Sequence, residues 1–311
     1  MTLLIGAVTL GTILALLALG VYISFRIFAI ADITVDGSLT FGAAVCAALL
    51  EKEGFDPVFA TAAGFLAGAL AGTLSGILQT RFRINPLLAG ILVMTALYSV
   101  NLRVMGRSNI PLLGATTLAT HCERLGPILF AGERVDLLGW DVPAADLAML
   151  LLAILLVVSF AVLLWAFFRT ELGTAMRACG DNPQMVSALG GNVQRYRVFG
   201  LALSNGLVGL SGSLWAQYQN FADAQMGLGM VVWGLASVII GEAITAAPSI
   251  GFAIVGTIFG SVLFRELIAA ALSFGLDPND LKAVIAVFVF AALVMPDFLA
   301  RARLFPRRTG S

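Results

Sequence analysis

Uncharged stretches of membrane-crossing length recur along this chain, and they constrain its fold more than any other feature. Residues 1–25, 57–80, 84–102, 147–168, 198–222, 224–241 and 243–264 each carry no Asp, Glu, Lys or Arg. A helix needs roughly 20 apolar residues to cross the hydrocarbon core of a bilayer. Two shorter runs, 37–50 and 283–296, lie beside polar segments and reach that length with their flanks. Backbone groups in lipid must be satisfied internally, so the spans are helices. The two-residue alternation of a membrane barrel is absent. Of 311 residues, 59% are hydrophobic and 12% charged, about half the charge of a soluble domain. The expected fold is therefore all-α: a single polytopic bundle over 1–311, of about eight to ten helices. Residues 1–25 lack a basic start and a small-x-small cleavage site, so they read as the first span and not as a signal peptide.

The arginines set the topology. Arg81 and Arg83 lie in one short loop, Arg169, Arg177, Arg195 and Arg197 in a long one, and Arg301, Arg303, Arg307 and Arg308 near the end of the sequence. Placing all three groups in the cytoplasm satisfies the positive-inside rule. About nine crossings follow, with the N-terminus outside, the C-terminus inside and residues 103–143 as the longest outer loop.

Several chemistries find no support. The two lysines, Lys52 and Lys282, lack the Gly-Lys-Ser/Thr context of a phosphate-binding loop. A single histidine excludes HExxH, and no GxSxG elbow occurs. His121 beside Cys122 is too small a ligand set for a transition metal. Cys46, Cys122 and Cys179 fall in a span, outside and inside, so they do not pair with one another. An arginine ladder and a TVGYG filter are missing, which argues against a familiar ion channel. No enzymatic role, metal or cofactor is expected in this chain, and nothing points to nucleic acid.

Two stretches look alike. ADITVDGSLTFGAAVCAALL starts at Ala31 and ADAQMGLGMVVWGLASVII at Ala222. Each opens on Ala-Asp, passes a glycine-containing polar patch and enters an apolar run. A glycine-spaced helix follows each, with Gly64, Gly68, Gly72 and Gly76 in the first and Gly251, Gly256 and Gly260 in the second. Each then meets a proline, Pro86 or Pro278. With half-repeats at roughly 27–102 and 218–298 entering from opposite sides, this is an inverted repeat of the kind transporters use; chance likeness between apolar stretches is the alternative. The four-residue glycine spacing makes a smooth helix face, suited to close packing within the subunit or between subunits. In the first repeat, Asp32, Thr34, Asp36 and Ser38 interrupt apolar sequence. Asp36-Gly37 reads as a turn and Ser38 as a cap for the helix after it. The segment is either a discontinuous helix start that lines a pathway or a solvated interfacial loop.

The polar insert 169–197 is the most patterned segment. Asp181 or Asn182 caps a short helix, Pro183 suits its first turn, and Gly190 and Gly191 its end. A connector without further role is the plain reading. However, the run TELGTAMRACGDNPQMVSALGGN, followed by LSNGLVGLSGSLWA, resembles binding-protein-dependent ABC permeases of the branched-chain amino acid type. ADITVDGSLTFGAAV and GLASVIIGEAI with DLKAVIAVFV are similar to a subgroup paired with lipoprotein-like binding proteins and proposed to carry aromatic or other amino acids. The resemblance extends over about residues 30–296. It implies a transport subunit in the bacterial inner membrane that moves a small solute, an amino acid first among the candidates. ATP and Mg would be handled by a separate ATPase subunit, a periplasmic or lipoprotein binding protein would deliver the solute, and a second permease copy would complete the pathway. It further implies that Asn182, Pro183, Gln184, Met185, Leu189 and Gly190 belong to a coupling helix that touches the ATPase, with Arg177 and Gly180 just before it. A sugar, nucleoside or small-peptide permease is the nearest alternative, and a stand-alone secondary transporter a more distant one.

Overall fold

A computed structural model of the chain describes residues 2–137, 140–245, 249–273, 283, 285–287 and 290. Among these, the fold is a helical bundle with two small antiparallel strand pairs. Its long helices are α1 (Thr2–Val21), α2 (Thr34–Lys52), α3 (Pro57–Thr80), α4 (Pro86–Met105), α6 (Ala144–Phe167), α9 (Val193–Gln219) and α11 (Ile250–Ser273). Among the described residues, seven helices are long and apolar enough to cross a membrane, and the shorter α10 (Met230–Thr245) is apolar as well. The expectation of about nine crossings included 283–296, most of which lies outside the described residues, as do 301–311.

The loop after α4 carries β1 (Asn109–Pro111), α5 (Leu118–Leu129), β2 (Arg134–Leu137) and β3 (Trp140–Pro143). β2 pairs with β3 as a hairpin. β1 pairs with β4 (Phe221–Asp223), in the register Ile110 to Ala222, and so ties the far ends of α4 and α9 together. The opposite end of the bundle carries α7 (Glu171–Asp181) and α8 (Pro183–Ala188). Thr117 starts α5 with reciprocal side-chain and backbone hydrogen bonds to Thr120. Asp56 and Asn85 cap α3 and α4, each followed by proline, which has no N–H to leave unsatisfied in a first turn.

The core is built on α1. Leu14, Leu17, Tyr22 and Ile23 are buried against residues of α9, α10 and α11, with Trp233 and Phe264 meeting edge to face at 4.9 Å. The glycine face of α3 packs on α9. A Cβ at Gly68 would fall on the Asn205 carbonyl and one at Gly72 on the Leu201 carbonyl; one at Gly76 would lie 2.9 Å from Val198 Cα. Gly209 answers from α9, where a Cβ would lie 2.5 Å from the Gly64 carbonyl oxygen. Within this subunit, then, the smooth face serves helix packing at backbone range. α10 and α11 repeat the device, with Gly260 against the Ser237 carbonyl.

Two helices start inside the bundle. α1 runs on into a π-helical turn (Tyr22–Ile27), the chain breaks at 28–33, and α2 begins in the interior and runs to the far end. After β4 the chain breaks again at 224–229, and α10 begins beside α2 and runs the other way, so that Glu242 meets Arg26 at 2.6 Å. Each of the two stretches that look alike in sequence, from Ala31 and from Ala222, thus holds an interior break. One local expectation fails: Asp36, Gly37 and Ser38 lie within α2, which starts at Thr34, so Asp36-Gly37 is no turn and Ser38 caps nothing. The Asp32 side chain accepts the Thr34 amide and supplies the start that Ser38 was expected to give.

Candidate functional site

The loop-end site is built from caps. The Thr170 hydroxyl accepts the Gly173 amide at 3.2 Å and starts α7. Asn182 Oδ1 accepts the Met185 amide at 3.0 Å, and Pro183 opens α8; of the two residues offered by the sequence, Asn182 is the cap. The helix ends at Ala188, with Leu189 as its C-cap. Gly190 holds a φ of +84°, a left-handed conformation that glycine adopts without strain, and the Gly191 amide donates to the Val186 carbonyl.

One face of this loop is anchored. Met176, Cys179 and Val186 are buried in the main core. Gly180 lies on the end of the π turn so closely that a Cβ would fall on the Ile27 carbonyl oxygen. The loop therefore rests on the break between α1 and α2. Burial raises the Cys179 thiol above its usual range, against the lowering effect of Arg197. The other face is open: Gln184 and Met185 are exposed, and Leu189 is 79% exposed. Arg177 and Asp181 line a cavity of about 250 Å³ with Tyr22, Arg26 and Glu242.

The second cluster lies at the interior breaks. Asp32 is 2% exposed, and Thr34, Asp36 and Ser38 are buried as well, so the segment is not a solvated loop. Asp32 Oδ2 accepts from Asn205 Nδ2 at 2.8 Å, and Asn205 Oδ1 accepts from the Ser38 hydroxyl at 2.7 Å. Thr34 donates to the Ser75 hydroxyl of α3 at 3.0 Å. Asp36 accepts the Gly229 and Val231 amides, each at 2.8 Å, and so caps α10 from α2. These bonds join α2, α3, α9 and α10 at one depth. The sequence reading overlooked Asn205; its polar side chain within the α9 span was the available signal.

The two clusters are distinct in place. Arg177 and Gly180 contact the end of α1, whereas Asp32, Thr34, Asp36 and Ser38 sit deeper, beyond the break. Among the described residues no three His, Cys, Asp or Glu side chains gather as metal ligands.

Broken helices at the centre of a bundle, with a capped and half-exposed loop at one end, are a transporter's architecture. The family model described as "Branched-chain amino acid transport system / permease component" matches residues 3–294. The chain belongs to this permease family. It is a multi-pass transport component and not itself an enzyme. The permease is 39% identical to the "Tyrosine transport system permease protein" of Clostridioides difficile (strain R20291), over 93% of this chain and 90% of that one. It is 35% identical to "Uncharacterized protein RP368" of Rickettsia prowazekii (strain Madrid E), over 94% of this chain and 97% of the other. With the "Nucleoside ABC transporter permease protein NupC" of Lactococcus lactis subsp. cremoris (strain MG1363) it shares 31% identity, over 50% of this chain and 48% of that relative. No solved structure matches the permease. The relatives' names span more than one solute class, so family membership does not name the cargo of this permease.

Proposed function

We propose that this permease is the membrane-spanning subunit of an ATP-driven importer in the bacterial inner membrane, and that its cargo is an amino acid, with L-tyrosine the first to test. One observation carries the coupling part of the reading. The α7–α8 loop is rigidly capped, buried on one side against the end of α1, and presents Met185 and Leu189 to solvent on the other. Exposed apolar residues on a short, ordered helix suit a groove on a partner. A separate ATPase subunit seated there would push on Gly180 and the π turn when it closes on ATP and Mg. Arg26, Arg81, Arg177 and Arg195 gather at the same end of the bundle, which supports a cytoplasmic placement of this loop. The cargo part rests on likeness to the tyrosine permease over nearly the full length of both chains. The binding protein would dock on the outer loop 103–143, and a second copy of the chain would complete the pathway. Asp32, Thr34, Asp36 and Ser38 would then set the geometry beside that pathway by tying the two half-repeats together.

The test is reconstitution in proteoliposomes with the neighbouring ATPase and the binding protein. ATP hydrolysis is expected to rise several-fold only when binding protein and L-tyrosine are both present. Asn182→Ala removes the cap of α8, a change typically worth about 1 kcal/mol. A helix of one to two turns has little stability of its own. The variant should keep its place in the complex and lose most of the stimulation. Stimulation equal to wild type in Asn182→Ala would remove the coupling role. Solute uptake driven by an ion gradient without any ATPase would replace the whole reading with a secondary transporter, and stimulation by a nucleoside in place of tyrosine would reassign the cargo.

A further inference from the structure

A small cavity of about 30 Å³ lies between α2, α4 and the break at 224–229, lined by Asp36, Thr40, Met94, Tyr98 and Asn101 among others. Asp36 and Asn101 bring acceptor oxygens to its lining, beside the Asn101 amide nitrogen and the Tyr98 hydroxyl. Each Asp36 carboxylate oxygen accepts one backbone N–H and keeps lone-pair capacity. The Thr40 hydroxyl proton is committed to the Asp36 carbonyl, and its oxygen accepts the Gly227 amide. Asn101 is 1% exposed, yet its Oδ1 has no hydrogen-bond partner. A buried polar atom left unpaired is uncommon and costly, and it calls for an explanation. The residues that carry these acceptors line a space about the size of one water molecule or one ammonium group.

We infer that this cavity is a station for the ammonium group of the transported amino acid, with Asn101 Oδ1 and the Asp36 carboxylate as its acceptors. This inference rests on the amino acid importer reading given above. An ammonium brings three donors and a positive charge, which meets both the unpartnered oxygen and the carboxylate. The space is too small for a side chain, so the remainder of the solute would extend past the part-exposed Tyr98. Neither Asn101 nor Tyr98 is among the residues that the loop-end site or the Asp32–Asn205 network employs.

The experiment measures L-tyrosine uptake per assembled transporter, together with the thermal unfolding midpoint, for wild type, Asn101→Leu and Asn101→Ser. Leucine keeps the branched outline of asparagine, at somewhat larger volume, and removes the unpaired oxygen. Asn101→Leu is expected to lower uptake at least tenfold with a midpoint equal to or above wild type. Asn101→Ser restores an acceptor and should recover uptake to within about threefold of wild type; it also serves if the leucine variant fails to assemble, since uptake below a tenth of wild type in Ser would then count against the role of the acceptor. Wild-type uptake in Asn101→Leu would overturn the station. So would a lowered midpoint with unchanged uptake per folded molecule, the pattern of a structural water held by Asn101. Absence of uptake in the wild-type arm would instead overturn the tyrosine reading beneath it.

Discussion

Asn205 is the residue on which the polar centre turns. Its amide donates to Asp32, accepts from Ser38 and also donates to the Leu201 carbonyl, so one side chain satisfies partners on two helices and a break. Asn205→Leu would leave a fully buried carboxylate and a hydroxyl without their partner. Each such loss costs about 1–3 kcal/mol, more where the group is charged. We expect the variant to unfold at least several degrees below wild type in detergent, as measured by the thermal midpoint, and Asp32→Asn to soften that loss when combined with it. Equal midpoints for wild type and Asn205→Leu would show that the network is not held together by this amide. The sequence made half of this network visible. Asp32, Thr34, Asp36 and Ser38 are conspicuous because they interrupt apolar sequence. Their partners are not, because Asp36 caps a helix whose amides lie 193 and 195 residues away. With no local partner in view, Asp36-Gly37 reads as a turn. Asn101 was hidden for a similar reason: one polar residue inside an apolar span carries no pattern.

The helices were legible because lipid leaves so few alternatives. Gaps in charge mark the spans, and Asp56-Pro57, Asn85-Pro86 and Asn182-Pro183 mark three starts that the structure places on the same cap-then-proline design. The glycine spacing in α3 was readable as a smooth face, but the sequence left open what that face would meet. Its partner, α9, brings its own bare backbone at Gly209 and a polar side chain that bonds across, Gln217 to the Thr61 hydroxyl at 2.7 Å. The contact is therefore steep in side-chain size. Gly68→Ala puts a methyl group where the Asn205 carbonyl sits, and α3 must move away. Overpacking of this sort costs about 1–3 kcal/mol. A drop in the unfolding midpoint is expected for Gly68→Ala and little change for Gly114→Ala as a volume control, since a Cβ at Gly114 would meet no atom within 4 Å. If Gly68→Ala is as stable as Gly114→Ala, the seam is looser than the geometry says.

At the scale of the molecule, the bundle has two unlike ends. One holds the β1–β4 pair and the β2–β3 hairpin, with Arg134 and Asp141 at 2.7 Å on its surface. The other holds α7, α8 and the cluster of arginines. The three cysteines are buried, so single exposed cysteines introduced elsewhere report cleanly on sidedness. In a background with Cys46, Cys122 and Cys179 replaced, Glu133→Cys should react with a membrane-impermeant maleimide in intact cells. Ser187→Cys should react only after permeabilisation. The reverse pattern would invert the orientation and with it the assignment of α8 to the ATPase. The charge bias predicts this sidedness from sequence alone, whereas the joining of both breaks at one depth could only be seen once α2 and α10 were placed side by side.

The seam between α3 and α9 bears on how such a machine moves. Side chains that interlock can exchange one rotamer for another and let two helices slip by a notch. Bare backbone pressed on backbone offers no second notch. The pair formed by α3 and α9, with α2 bonded to both, must then travel as one keel, and any opening or closing has to be accommodated along its margins: at the two breaks, at the π turn, and along the sparsely buried α4 and α6.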